Sequence, residues 1–281
     1  MSRNQLSVYL RRSAGAATLF GALAIALAGC GDKSTNPVRA VPLTLVAQSS
    51  GVSTARYLAP AGSALQASSA ATDTIPVTFT KALLVVRDVR FVLPEAIDDS
   101  DEQSDSLGAT DSLGTGEDDD DVQGQVRFRG PFVIDLLSGH AANLDTMMVM
   151  PGDYARVQGH LQMLRAGDAA AADFPGLVGS TVWLEGTIDG EGGGPFSFLA
   201  RIDNEFQIRG GFHVAAVTPA TAFVTFDLSK WLSDGSGHFL DPRLLENELA
   251  IKKAIRHSIK VGMDDDHDGS ADDDMHEVDG D

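Results

Sequence analysis

The stretch MDDDHDGSADDDMHEVDGD, Met263 to Asp281, holds the densest set of side chains able to do chemistry. Asp264, Asp266 and Asp268 recur at every second residue, Gly269 follows, and then come Ser270 and Asp272. Carboxylates are hard oxygen donors, and a calcium ion takes about 6–8 oxygens. In this spacing three carboxylates and the Ser270 carbonyl can converge on one point, with Gly269 supplying the sharp bend. The chemistry would be reversible capture of Ca²⁺ at weak, extracellular-type affinity, about 10⁻⁴ to 10⁻³ M. A second reading stands beside it, in which a run of like charges is a solvated acidic tail. His267 and His276 add a further alternative, adventitious Zn²⁺ or Ni²⁺.

The order D-x-D-x-D-G-x-x-D resembles the first nine positions of EF-hand, dockerin and thrombospondin-type calcium loops. That resemblance implies Asp264, Asp266, Asp268, Ser270 and Asp272 as ligands. The chain departs from it at the twelfth position, where Met275 replaces a bidentate glutamate, leaving Glu277 or Asp274 to stand in. An amphipathic segment precedes the loop where an entering helix would lie, and no exit helix is expected. The stretch is expected to divide at Asp272 into an ordered half and a solvated remainder.

Cys30 is the second residue able to do chemistry, and it is the only cysteine. Arg3, Arg11 and Arg12 precede the apolar run AGAATLFGALAIALAGC, the layout of a secretory signal. The run is shorter than the roughly 20 residues that cross a bilayer. LAGC, Leu27 to Cys30, resembles the lipobox of bacterial lipoproteins. This implies cleavage before Cys30, acylation of that residue and attachment to the membrane through the acylated N-terminus. Gly31 follows the cysteine, with Asp32 one place later, so the outer membrane is favoured over the inner. A lone cysteine also excludes disulfides and thiolate zinc sites from the mature domain.

Other candidate chemistry is sparse. The sequence has no G-x-S-x-G, no H-E-x-x-H and no phosphate-binding glycine loop. His160 and His213 could face each other across strands. Met147, Met148, Met150 and Met163 could form a soft-metal surface, although methionine more often fills cores. Glu185, Asp189 and Glu191 could serve as paired carboxylates. An enzyme is not expected; a glycan hydrolase would need Glu185 or Asp203 beside another carboxylate in a deep cleft.

The formal charge of −19 is not spread evenly. Asp98–Asp121 carries 11 acidic residues and Asp264–Asp281 carries 10, with no Lys or Arg in either. Without them and the three N-terminal arginines, 19 acidic residues face 18 basic ones. The body is therefore nearly neutral, which argues against a nucleic-acid partner. The first acidic segment, within 97–124, is rich in Ser, Gly and Asp and is expected to be a disordered insert.

The elements that must position these residues read mostly as strands. TIPVTFT, ALLVVRDVRFVL, QVRFRGPFVIDLL, LDTMMVM, DYARVQGHLQML, STVWLEGTI, PFSFLARI, EFQIR and TAFVTFDL are short, β-prone and separated by turn signals. Phe128, Phe132, Trp183, Phe196, Phe198, Phe223 and Phe226 are the expected core aromatics. FVIDLLSG, Phe132 to Gly139, followed by Pro151, Gly152 and Tyr154, resembles the DUF4382 family of lipoprotein domains. This resemblance spans Ile75 to Leu228 and implies a β-sandwich without implying an activity. Asp241 and Pro242 read as a helix start, Leu244, Leu245, Leu249, Ile251, Ile255 and Ile259 as its apolar face, and Gly262 as its stop. Lys252, Lys253, Arg256 and Lys260 load the C-terminal half of that helix, where positive charge suits the helix dipole.

The sequence thus leads to a mainly β protein, an antiparallel β-sandwich with a C-terminal amphipathic helix and a disordered acidic insert and tail. The expected divisions are a signal peptide at 1–29, a tether and irregular linker at 30–72, and a sandwich at 73–230. A helical segment at 231–262 and the acidic tail at 263–281 complete the chain. The leading functional expectation is a non-enzymatic, lipid-anchored cell-envelope module that binds an envelope protein or glycan. The alternative is a calcium-dependent envelope protein.

Overall fold

The computed structural model describes residues 39–50, 53–59, 74–94, 125–138, 141–190, 192–265, 267–269, 271 and 275–277. The expected signal peptide, Cys30 and the acidic insert lie outside the described residues.

Among the described residues, twelve strands and one α-helix make the body. The strands are β1 (Val41–Ser49), β2 (Thr54–Leu58), β3 (Thr74–Val92), β4 (Gln125–Asp135), β5 (Ala142–Val149) and β6 (Gly152–Leu161). They continue with β7 (Val182–Ile188), β8 (Gly194–Ala200), β9 (Asn204–Val214), β10 (Ala220–Phe226), β11 (Ile259–Met263) and β12 (His276–Glu277). Helix α1, Glu248–His257, lies between β10 and β11.

The strands form two sheets. One runs β12-β11-β10-β1-β5, and the other runs β8-β7-β3-β6-β9 with β2 and β4 also paired to β3. The pairings among these strands are antiparallel except β1 with β10, which are parallel from Leu43↔Ala220 to Ser49↔Phe226. Such a pairing needs a long crossover, and nearly the whole second sheet is that crossover.

Strand β3 is the spine of the second sheet. Its first half pairs with β2 and β7, and its second half with β4 and β6. Its register shifts between Phe79 and Lys81 and between Val86 and Asp88. Such irregularities bend a strand, so one 19-residue element serves four neighbours.

The inner faces of the two sheets share one core. Leu43 and Leu45 from β1 and Val224 and Phe226 from β10 belong to the same apolar cluster as Phe79, Phe91, Phe206 and Phe212 from the other sheet. Phe91 sits at its centre, edge-on to Phe128, Tyr154 and Phe212 at about 6 Å. Of the expected core aromatics, Phe128, Phe196, Phe198, Phe223 and Phe226 are buried, whereas Phe132 and Trp183 are only partly so. A smaller cluster, Leu83, Val85, Leu164, Ala171 and Leu177, covers part of the outer face of β3. This second cover explains why ALLVV in β3 is apolar on both faces.

Three expectations need correction. First, 30–72 is not all linker: β1 and β2 lie within it, and residues 38–281 form one compact unit. The alternating burial of β1 and its partners on both sides make it a central strand.

Second, the helix starts at Glu248 rather than Pro242, after a short 3₁₀ turn at Leu245–Asn247. The Asp241 carboxylate is engaged by the Arg243 backbone N–H at 2.9 Å and by its guanidinium, and Leu244 is extended. The carboxylate thus caps only a single turn, and the extended backbone of Leu244 keeps that turn from continuing as a helix. Leu244, Leu245 and Leu249 are exposed, and Ile251 and Ile255 alone carry the buried face of α1. The helix stops at His257, and Ile259, Lys260 and Gly262 belong to β11.

Third, the acidic tail is not wholly solvated, because β12 within it pairs with β11.

Candidate functional site

The loop between β11 and β12 is the place where the sequence concentrates carboxylates, and a strand leads into it rather than a helix. Strand β11 pairs along β10 to Met263, and the Asp264 backbone N–H extends the ladder by donating to the Thr221 carbonyl at 3.0 Å. This anchoring holds the Asp264 side chain at the sheet end, only 6% exposed. Its Oδ2 accepts from the Gly269 backbone N–H at 3.3 Å, which folds the loop back over the carboxylate. His267 at φ 60° and Gly269 at φ 85° make the two left-handed steps that this fold-back requires. Asp264 Oδ1 is buried and has no hydrogen-bond partner among the described residues.

Of the five expected ligands, Asp264 and Asp268 are described, with Asp268 exposed; Asp266, Ser270 and Asp272 lie outside the described residues. Among the described residues no three His, Cys, Asp or Glu side chains converge as a metal cluster. What the arrangement provides is a buried carboxylate with one oxygen unpartnered among the described residues, and the Gly269 N–H held on the other.

Beyond the loop the chain returns to the sheet. Lys260 opposes Glu277 and Val261 opposes His276, and Lys260 Nζ lies 2.8 Å from Glu277 Oε1. That hydrogen bond and the lysine charge hold the Glu277 carboxyl below its ordinary range. The His276 ring packs edge-on to Phe212 of β9 at 5.3 Å. Its seat is Gly210, where a Cβ would come within 2.5 Å of the imidazole. Met275 in turn lies over Gly262, where a Cβ would stand 3.2 Å from its Cγ. Two glycines thus form the floor on which the end of the chain rests. Gly210 carries the sequence signal for this seat, since a Gly-Gly pair inside a strand marks a close approach.

The other candidates separate. His160 and His213 lie at opposite ends of the β6–β9 pairing, one opposite Glu205 and the other opposite Asp153. Each has its own carboxylate, Asp203 at 3.2 Å for His160 and Asp153 at 2.6 Å for His213. His160 lines a cleft of about 80 Å³ with Asp88, Arg90, Gln158, Gly159 and Glu205. This is well below the roughly 300 Å³ at which small-molecule pockets begin. Glu185 is bound to Lys81 at 3.1 Å and to the Trp183 indole at 2.9 Å, with the Lys81 ammonium 3.5 Å above the Trp183 ring. Glu191 lies outside the described residues. Met148 and Met150 are exposed, while Met147 is partly buried against the core.

No protein-family model, curated protein or solved structure matches this chain.

Proposed function

We propose that this chain is a non-enzymatic cell-envelope module, anchored by acylation of Cys30, whose β-sandwich body binds or scaffolds an envelope protein or glycan. The observation that carries this reading is the short stretch of sequence between Cys30 and the first buried strand. Val41 is buried and opens the central strand β1, so ten residues separate the body from Cys30. Even fully extended they reach about 35 Å. An acylated Cys30 would therefore hold the sandwich against the membrane surface.

The near neutrality of the body supports a surface that neither repels nor is drawn to an anionic bilayer. The ion pairs of Glu185 and Asp203 support a structural use of those carboxylates. Gly31 in place of aspartate after the cysteine favours the outer membrane.

Fractionation of cells expressing the wild type and Cys30→Ala tests the proposal. The wild type should sediment with membranes and yield an acylated N-terminal peptide by mass spectrometry. The variant should keep its signal and leave the acylated fraction. Retention of an unacylated protein in the membrane fraction would overturn the anchor.

A further inference from the structure

We propose that Asp264 and Asp268, which follow β11, bind Ca²⁺, and that the cation fastens β12 to the sheet. This inference stands apart from the lipid anchor and survives if Cys30 is not acylated.

The first support is the unused oxygen of Asp264. A buried carboxylate oxygen without a partner is costly, and native structures pair such atoms with a donor, a water or an ion. Here the neighbouring groups in sequence are themselves acidic, so a cation satisfies the oxygen where another side chain would repel it. Asp268 lies one residue before Gly269, whose N–H already points at Asp264. The turn at His267 and Gly269 therefore folds the Asp268 segment back toward Asp264.

The choice of Ca²⁺ follows from the donors. Carboxylate oxygens suit a large hard cation that tolerates irregular coordination, whereas Mg²⁺ demands a tight octahedron. Zn²⁺ would call on histidine. The His276 ring is packed against Phe212 and over Gly210, and His267 is exposed.

The second support is the thinness of β12. Among the described residues, β12 is held by a two-residue ladder, the Lys260–Glu277 ion pair and the contacts of Met275 and His276 with Gly262, Gly210 and Phe212. Ordering the connection from β11 costs conformational entropy that so short a ladder offsets poorly, and the repulsion among its carboxylates adds to the cost. A bound cation removes the repulsion and crosslinks the loop. It thereby carries β12 onto β11 and onto Phe212 of the other sheet.

The test titrates CaCl₂ into the full-length protein in detergent micelles by calorimetry, with MgCl₂ as control. Amide hydrogen exchange at Lys260, Val261, His276 and Glu277 is followed in parallel. One saturable Ca²⁺ per chain is expected, with a dissociation constant of about 10⁻⁴ to 10⁻³ M. Asp264→Asn and Asp268→Asn should each weaken it by about tenfold or more. Asp268 is exposed, and urea unfolding of both variants without Ca²⁺ separates any change in fold from the change in binding. Ca²⁺ should slow exchange at His276 and Glu277 by about tenfold in the wild type and in neither variant. No saturable heat in the wild type, or equal heats in the wild type and Asp268→Asn, would overturn the site. Saturable binding with unchanged exchange in β12 would overturn the fastening.

Discussion

The Trp231 indole N–H donates to Ser258 Oγ at 2.8 Å, and both side chains are fully buried. Ser258 Oγ donates in turn to the Ile255 carbonyl at 2.7 Å, so one hydroxyl closes the end of α1 and satisfies the largest buried side chain. Ser258→Ala leaves the indole N–H unpaired in the core. An expected loss of about 1–3 kcal/mol follows from the desolvation of that donor. Urea unfolding checks it: the midpoint should fall with the slope unchanged.

Asp241 and Arg243 form a fork that reaches the Gly192 carbonyl at 3.2 Å, tying the approach to α1 to the β7–β8 turn. Burial alone would raise the Asp241 carboxyl, but the hydrogen bonds and charge of Arg243 outweigh it and hold the group below 3.8. A folded value below the unfolded one means stability that is present above pH 3.8. It drains away as the pH falls through the folded value. Arg243→Gln should cost about 1–2 kcal/mol near neutrality. Thermal unfolding between pH 6 and pH 2.5 should show the gap between variant and wild type closing below pH 3.8. A constant gap would place the stabilisation elsewhere.

Gly210→Ala places a methyl where the His276 imidazole rests, without reaching the central core. The β12 amides should exchange faster while the unfolding free energy of the body stays within about 1 kcal/mol of the wild type. Ca²⁺ that binds only when β12 is docked should bind more weakly in proportion to the fall in the docked fraction. Calorimetry and hydrogen exchange on this one variant measure both sides.

Alternation and turn residues made most strands of the seven-stranded sheet legible, because PFSFLARI and STVWLEGTI each carry a half-buried period of two. β1 was not legible as a central strand. VPLTLVAQS sits between Pro-rich and Ser-rich surroundings, and the partner that makes it central lies near the other end of the chain. The helix was half legible: its apolar residues read as one long face, but Leu244 is extended, so the turn capped by Asp241 ends before the helix begins.

The carboxylate spacing from Asp264 onward could be read directly. The strand that leads into it, and the burial that leaves one Asp264 oxygen without a partner, are set by tertiary pairing. Two-residue β12 carries no period at all, so no pattern in MHEV announces it.

The parallel pairing of β1 and β10 also dictates a folding order. Gln48 and Thr225, hydrogen-bonded at 3.1 Å, stand 177 positions apart. Until Ala220–Phe226 is available, β1 has no partner on that side, and its apolar side chains have only part of a core to enter. Contacts this distant in sequence form late and slowly. The first strand of the chain is therefore among the last to be fully paired, and in the interval it is an open edge that a second unfolded chain can occupy.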